Sequence, residues 1–169
     1  HATIRRQRQM CIRDRMEWAI QDEKNNLKLI SNAGRNNWTR PIDGPIQFPI
    51  HQVDLYKNSR LQMAYTTKNS FEVIDRNAKP VQPFSSKLNN PLPLAVFDYE
   101  NTRDYRLVLV NQNTLELRDR KFKKVSGFNR TKANLKYAPK HFRIGTRDYI
   151  AMVENLSLIH ISEPTRHRR

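Results

Sequence analysis

Residues 69–84 read NSFEVIDRNAKPVQPF and residues 113–128 read NTLELRDRKFKKVSGF, which is the same segment written twice. The two copies lie 44 residues apart, align without a gap and share seven identical positions. Residues 102–105, with the sequence TRDY, recur at the same spacing as residues 146–149. A fixed period of roughly 20–50 residues is typical of solenoids and propellers. The chain is therefore built from a repeated unit.

Each unit holds four short apolar runs, most of which alternate with polar residues as half-buried β-strands do. In one unit the runs are Val53 and Leu55, then Leu61, Met63 and Tyr65, then Phe71 and Val73, then Val81 and Phe84. In the next unit they fall within residues 96–99, 105–110, 114–117 and 125–128. Residues 107–110 are apolar without interruption, which predicts a strand covered on both faces.

Four antiparallel strands in about 40–45 residues is the size of one β-propeller blade. The sequence therefore predicts an all-β fold, a partial β-propeller with four-stranded antiparallel blades repeating every 44 residues and about three blades in all. Two alternatives stay open: a pair of similar meanders in a β-sandwich, and a β-solenoid, whose coils are shorter.

The two ends of the chain are predicted to be translated sequencing adapter. One encoding of residues 10–15 is ATG TGT ATA AGA GAC AG, and its reverse complement encodes residues 156–161. We therefore expect residues 1–15 and 156–169 to be non-native, and residues 16–155 to be the incomplete propeller. Such foreign segments are excluded before a fold is argued.

Composition narrows the classes of function. Without the predicted adapters, which hold eight of the 31 basic and two of the 16 acidic residues, the net charge falls from +15 to +9. The one cysteine, Cys11, lies in the first adapter, so residues 16–155 can form no disulfide and no thiolate zinc site. No apolar run reaches the ~20 residues of a membrane span. Composition leaves the localisation open.

A family resemblance rests on the turns at residues 75–81 and 119–125, with residues 97–102 and 141–145 in support. These segments resemble the quinoprotein-like β-propeller repeats of uncharacterised bacterial proteins. The resemblance implies a propeller and a place in the bacterial cell envelope, and it leaves the activity open. The turn glycine of such repeats falls at Gly34, Ala78 and Phe122, so the turn type in the later units stays open. The WD40 family is disfavoured because no Gly-His or Trp-Asp dipeptide occurs.

Three kinds of functional site are disfavoured: a quinone-cofactor centre, a calcium loop and a histidine ligand site. A quinone-cofactor enzyme needs an aromatic floor at the centre of a closed ring, and both tryptophans, Trp18 and Trp38, lie in the first partial unit. Residues 98–104 space oxygen side chains as calcium loops do, but Arg103 intrudes and no glycine is present. His51 and His141 occupy different positions of the repeat, which indicates strand residues rather than ligands. No cofactor, metal site or catalytic residue is predicted.

A basic tract at residues 118–140 carries nine basic residues and one acid, with aromatic residues interleaved. Such a tract can bind nucleic acid through phosphate charge and base stacking. Lysines that protect exposed turns and strand edges are the favoured interpretation. The alternative function is therefore an anionic-ligand or nucleic-acid site at Lys121, Lys123, Lys124, Arg130 and Lys132. The favoured function is a non-catalytic propeller segment of a larger protein that acts as a scaffold for an unidentified protein partner.

The repeat also makes structural predictions. Met63, Leu107 and Ala151 should occupy equivalent core sites, as should Leu61, Tyr105 and Tyr149. Residues 157–161 are apolar and β-prone, so they should pair with the strand at residues 149–153, which otherwise has an unsatisfied edge. Residues 1–13 should stay loose or form a marginal helix.

Overall fold

The protein is represented by a computed structural model that describes residues 9–12, 15–99, 102–126, 130–131, 135–154 and 159–162. Every regular element in this part of the chain is a β-strand, so the predicted all-β architecture is confirmed. The strands form four separate antiparallel sheets, each made of strands that are consecutive in the chain. The fold is a partial β-propeller, and we number its blades in chain order.

The described strands are distributed over the four blades as follows. Blade 1 contains β1 (Gln9–Ile12), β2 (Arg15–Gln21), β3 (Asn26–Ser31) and β4 (Asn36–Pro41). Blade 2 contains β5 (Ile46–Val53), β6 (Gln62–Thr67), β7 (Ser70–Ile74) and β8 (Pro80–Lys87). Blade 3 contains β9 (Ala95–Tyr99), β10 (Asp104–Asn111), β11 (Thr114–Asp119) and β12 (Arg130–Thr131). Blade 4 contains β13 (Lys140–Ile144), β14 (Arg147–Val153) and β15 (Ile159–Ser162).

The strand register of blades 2 and 3 follows the 44-residue repeat. Met63 lies opposite Ile74, and Leu107 lies opposite Arg118, so both members of the second pair are 44 positions further along the chain. A two-residue hairpin loop joins these strands in both blades, which keeps the register identical. The sequence period therefore has a direct structural counterpart.

Apolar side chains fill three layers, one between each pair of neighbouring blades. The layer between blades 1 and 2 includes Leu29 and Tyr65, and that between blades 2 and 3 includes Phe71 and Leu107. The layer between blades 3 and 4 includes Val108. Residues 107–110 are buried on both faces of β10, as predicted from their uninterrupted apolar run.

The predicted equivalence of core sites holds between blades 2 and 3 and is wrong in blade 4. Met63 and Leu107 are both buried and each faces the preceding blade, but Ala151 is only half-buried. Ile150 and Met152 face blade 3 instead, so the faces of β14 are exchanged.

The pairing of β13 with β14 explains this exchange. Lys140 lies opposite Ala151, and His141 lies opposite Ile150. If Ala151 faced blade 3, Lys140 would be buried beside it, whereas a one-residue change of face leaves Lys140 in solvent. The ring of His141 then packs on Phe97 of blade 3, with 5.1 Å between centroids.

Both predicted adapters contribute a strand in the described part of the chain. β15 pairs with β14, as expected for the C-terminal tail, although residues 157–158 lie outside the described residues. The expectation for the N-terminus was wrong at residues 9–12, because β1 pairs along the edge of β2. An open sheet edge offers main-chain hydrogen bonds to any neighbouring segment that can extend. Residues 1–8 and 13 lie outside the described residues.

Candidate functional site

Two kinds of connection emerge at the same end of a blade. Because consecutive strands are antiparallel, the loop between the first and second strands lies beside the turn between the third and fourth. In blade 2 these connections are residues 54–61 and 75–79. We call this end of the blades the turn face, and the other end the opposite face.

An aspartate organises the turn between the third and fourth strands of blades 2 and 3. In blade 2, Asp75 Oδ1 accepts hydrogen bonds from the backbone N–H groups of Asn77 and Lys79, both at 2.8 Å. Asp119 caps the turn of blade 3 in the same way, with bonds of 2.9 and 2.8 Å. Side-chain capping of this kind explains why the aspartate recurs with the repeat.

The same turn persists although its glycine does not. The residue three positions after the start of the turn has a positive φ in each case: 75° at Gly34, 62° at Ala78 and 65° at Phe122. The turn type left open by the sequence is therefore conserved across these blades. A non-glycine residue in this conformation costs roughly 1–2 kcal/mol.

Ion pairs join blades 2 and 3 along the turn face. Arg103 Nη1 lies 2.8 Å from Asp54 Oδ2, and Asp54 is only 2% exposed. The same carboxylate accepts the backbone N–H groups of Asn58 and Ser59, which closes the first loop of blade 2. Asp54 is therefore occupied by structural contacts.

Asp104 adds a second ionic contact at this joint. Lys57 Nζ lies 2.9 Å from Asp104 Oδ1, and Arg120 Nε lies 3.2 Å from the same oxygen. The hydrogen bond from Lys57 is the main cause that lowers the pKa of Asp104 below its ordinary value. The joint between blades 2 and 3 is closed by these contacts.

Blade 1 is tied to blade 2 deeper in the fold. Arg40 donates to the carbonyl of Ala78 at 2.8 Å and to Glu72 Oε2 at 3.0 Å. The hydroxyl of Tyr65 donates to the same Glu72 oxygen at 3.1 Å, and burial raises the pKa of Tyr65. These bonds fix the two blades below the turn face.

A cleft of about 1170 Å³ opens on the turn face between blades 1 and 2. Its walls come from both blades: the ends of β2 and β3, the turn at residues 32–35, the loop at residues 56–61 and the turn at residues 75–77. The indole N–H of Trp38 donates to the carbonyl of Arg76 at 2.8 Å, which joins the two walls. Tyr56 is 55% exposed at the rim.

Glu17 lies in this cleft with one oxygen unsatisfied. The residue is 3% exposed, and Oε1 accepts a hydrogen bond of 2.8 Å from Asn37 Nδ2. Arg76 Nη2 lies 3.6 Å from Oε1. Among the residues that the structure describes, Oε2 is buried with no hydrogen-bond partner. A buried polar atom without a partner is costly and calls for an explanation.

The equivalent positions of the other blades are satisfied internally. Glu17 lies opposite Ser31, and its counterparts are Gln62 in blade 2 and Arg106 in blade 3. Gln62 Oε1 accepts a hydrogen bond from the backbone N–H of Leu55, and Gln62 Nε2 donates one to the carbonyl of Arg60. Both polar atoms of its side-chain amide are therefore hydrogen-bonded. A carboxylate cannot donate, so Glu17 cannot close a loop in this way.

Sequence reasoning missed this cleft. Glu17 precedes the start of its turn at Ser31 by 14 positions, whereas Gln62 precedes Asp75 by 13, so Glu17 aligns with Gln62 at an offset of 45 rather than 44. A gapless comparison at 44 therefore hides the equivalence. An exposed Tyr56 within a polar loop was the one visible signal.

The predicted basic site is only partly assembled. Lys121 and Lys123 are exposed on the turn of blade 3, but Lys124 Nζ lies 2.7 Å from Glu116 Oε1. Although partial burial of Glu116 opposes ionisation, hydrogen bonds from Lys124 and Arg118 keep its pKa below the ordinary value. The backbone of Arg130 lies in β12, and Lys132 lies outside the described residues.

His51, His141, Arg103 and Asp104 have structural partners, whereas Asp98 Oδ1 is buried with no hydrogen-bond partner among the described residues. His51 Nε2 lies 2.8 Å from the carbonyl oxygen of Leu94, and His141 Nε2 lies 3.0 Å from Asp148 Oδ1. In the described part of residues 98–104, Arg103 and Asp104 form the ion pairs given above, while residues 100–101 are not described. No group of three or more metal-ligating side chains was found among the described residues.

Trp18 lies in β2 and Trp38 in β4, so both belong to blade 1. Within the described residues, no helix is long and apolar enough to cross a membrane.

Comparison with known proteins shows the fold. No protein-family model and no curated protein matches the chain. A crystal structure of BBS1N in complex with ARL6DN is similar over 99% of this chain, with a TM-score of 0.70 and 15% sequence identity. The chain spans 48% of the length of BBS1N. A protein of unknown function from Bacteroides caccae matches over 88% of this chain and 56% of its own, at 6% identity and a TM-score of 0.41, which is too low to carry an argument.

Proposed function

We propose that this chain is a non-catalytic segment of a larger β-propeller protein and that it holds a protein partner on the turn face. The observation that carries the proposal is the open cleft between blades 1 and 2, with exposed Tyr56 at its rim. Exposed aromatic residues beside polar groups are enriched at protein interfaces. The joint between blades 2 and 3 is closed by its own ion pairs, whereas the cleft between blades 1 and 2 is open on this face.

A structural neighbour and the general architecture of propellers both support an interaction role. BBS1N, which shares the fold, was crystallised with a second protein, ARL6DN. Propellers present loops from a rigid scaffold, and binding residues are disproportionately found on such loops. The recurring turns that resemble quinoprotein-like repeats further support a blade of that type and a bacterial envelope protein.

The non-catalytic part of the proposal rests on how the turn-face carboxylates are used. Asp54 and Asp104 are held in ion pairs, Asp75 and Asp119 cap turns, and Glu17, whose Oε2 has no partner among the described residues, has no second uncommitted carboxylate beside it in the cleft lining. General acid–base chemistry by a pair of carboxyl groups needs both of them free to exchange a proton with a substrate. Residues 16–155 are the functional part in this proposal, with residues 1–15 and 156–169 adapter-derived.

A display selection tests the proposal. Phage carrying random bacterial genomic fragments would be selected on the immobilised full chain, and each purified fragment would be titrated by calorimetry. Tyr56→Ala with Asn77→Ala on the turn face should weaken binding about tenfold, as expected for an aromatic anchor. The matched control, Lys68→Ala with Asn113→Ala, removes exposed side chains of the opposite face and should change affinity less than about twofold. Recovery of no binding fragment, or a loss confined to the control variant, would overturn the proposal.

The second candidate is an anionic-ligand or nucleic-acid site in the basic tract. The exposure of Lys121 and Lys123 favours it, while the ion pair of Lys124 with Glu116 weighs against it. A phosphate-binding site must lose affinity steeply as salt rises. Filter binding of a single-stranded oligonucleotide at rising salt, with Lys121→Gln and Lys123→Gln as the variant, tests this function. Binding that is insensitive to both salt and substitution would exclude the site.

A further inference from the structure

The cleft between blades 1 and 2 is lined by more basic than acidic side chains. Three arginines line it, Arg35, Arg60 and Arg76, against the carboxylates of Glu17 and Asp75. Asp75 is occupied by two backbone N–H groups of its own turn. Within the described residues, no carboxylate forms an ion pair with Arg35 or Arg60, so two guanidinium groups are available to anions.

The floor of the cleft needs a hydrogen-bond donor from a ligand, not an anion. Within the described part of the chain, Glu17 Oε2 has no donor, and Arg76, whose side chain is 55% exposed, lies 3.6 Å from the other oxygen. An exposed arginine can move aside at little cost because an ion pair of this length at a surface is weak. A ligand for this site must therefore offer anions at the rim and a hydrogen-bond donor at the floor.

The other side chains that line the cleft can form hydrogen bonds with the backbone of an extended polypeptide. Four asparagines line the cleft, and each amide can donate and accept as a peptide group does. They are Asn32, Asn37, Asn58 and Asn77. Trp38 and Tyr56 add aromatic surface, and the volume of about 1170 Å³ exceeds the roughly 300–1,000 Å³ of small-molecule pockets.

We propose that the cleft between blades 1 and 2 binds an extended acidic segment of the partner protein, with its carboxylates on Arg35 and Arg60 and a backbone N–H on Glu17. Guanidinium–carboxylate pairs of this kind are charge-assisted and directional. The inference rests on the proposed interaction role of the turn face and names the chemistry of the partner. A simple polyanion would meet the arginines but offers no hydrogen-bond donor to Glu17.

Random linear peptides displayed on phage and selected on the full chain provide the test. The recovered peptides, synthesised with a fluorescein label, would be titrated by fluorescence anisotropy. We expect them to be rich in aspartate and glutamate. Arg35→Gln with Arg60→Gln should weaken binding about tenfold or more, because both anchoring charges are lost. The control, Lys24→Gln with Lys68→Gln, removes the same charge from exposed loops on the opposite face of blades 1 and 2 and should have less than about a twofold effect.

Three results would overturn the inference. They are recovered peptides without acidic residues, equal weakening by the two double variants, and unchanged affinity in Glu17→Gln. Unfolding midpoints of all variants, measured by urea titration, establish that each one is folded. If the affinity of the selected genomic fragments falls in the Tyr56 and Asn77 variant but not in the Arg35 and Arg60 variant, the turn-face interaction stands and only the acidic-segment inference fails.

Discussion

Phe122 of blade 3 stacks on Phe71 of blade 2, with ring centroids 5.3 Å apart and planes inclined by 14°. Phe84 also contacts the Phe122 ring, at a centroid distance of 5.5 Å, and Arg118 covers its other side at 4.4 Å. This residue stands where the repeat would carry the turn glycine, with φ of 65°. The strain of the turn is thus offset by packing across the joint between blades.

Replacing Phe122 should separate these two effects. Phe122→Ala removes the stacking but keeps a strained residue, so we expect a loss of about 2–3 kcal/mol in the free energy of unfolding, less than for a fully buried ring. Phe122→Gly loses the same packing but relieves about 1 kcal/mol of strain, so it should be the less damaging change. Urea denaturation of the full chain measures both. Ala78→Gly is the control and should be neutral or slightly stabilising; a glycine variant less stable than the alanine variant would contradict the argument.

Glu17→Gln should not destabilise the fold. The glutamine can keep the hydrogen bond from Asn37 through its amide oxygen and removes a buried charge with an orphaned oxygen. We expect the free energy of unfolding to stay constant or rise by about 1 kcal/mol. The matched change Gln62→Glu can keep the hydrogen bond from Leu55 but loses the one donated to the carbonyl of Arg60, leaving two oxygens facing each other, and should cost about 2 kcal/mol or more. Equal losses in the two variants would show that Glu17 is a structural residue like its counterpart.

Acidification should destabilise the chain through its paired carboxylates. Hydrogen bonds lower the pKa of Asp22 and Asp104 below 3.8, and Glu116 is shifted below 4.5. A lowered native pKa gives stability that is complete above the ordinary pKa and disappears as pH falls through the native value. We expect urea midpoints to hold near neutrality and to fall from roughly pH 5 towards pH 3 and below. Glu116→Gln should show a shallower fall, and a parallel curve would contradict its assigned contribution.

Removal of residues 156–169 should expose the edge of β14. β15 pairs with Ile150, Ala151, Met152 and Val153, so its loss leaves these residues without a neighbour on one side. We expect faster amide exchange in residues 149–153 and little change in blade 2, as measured by hydrogen exchange and mass spectrometry. Unchanged protection of β14 would show that the tail does not dock in solution.

A chain reduced to residues 16–155 should associate with itself. An open array of blades leaves terminal faces and strand edges uncovered, whereas a closed propeller has neither. Sedimentation velocity should show a weight-average mass that rises with concentration. A monodisperse monomer that unfolds cooperatively at high concentration would refute this expectation.

The 44-residue period alone determined the strand pattern, the blade size and the register of blades 2 and 3. These features are local, since alternation sets the faces of a strand and a short hairpin sets its pairing. The aspartates that cap the turns, Asp75 and Asp119, also recur with the period, although the sequence left the turn type open. Local side-chain geometry repeats wherever the local sequence does.

Tertiary structure decided what depends on neighbouring blades. The faces of β14 were set by the need to keep Lys140 in solvent while His141 packs on Phe97, a contact between segments far apart in sequence. The stacking of Phe122 on Phe71 and the burial of Glu17 likewise depend on what the adjacent blade places beside them. Burial and pairing of a side chain are properties of the assembled surface, so a periodic sequence determines each blade but not the cleft that forms between two of them.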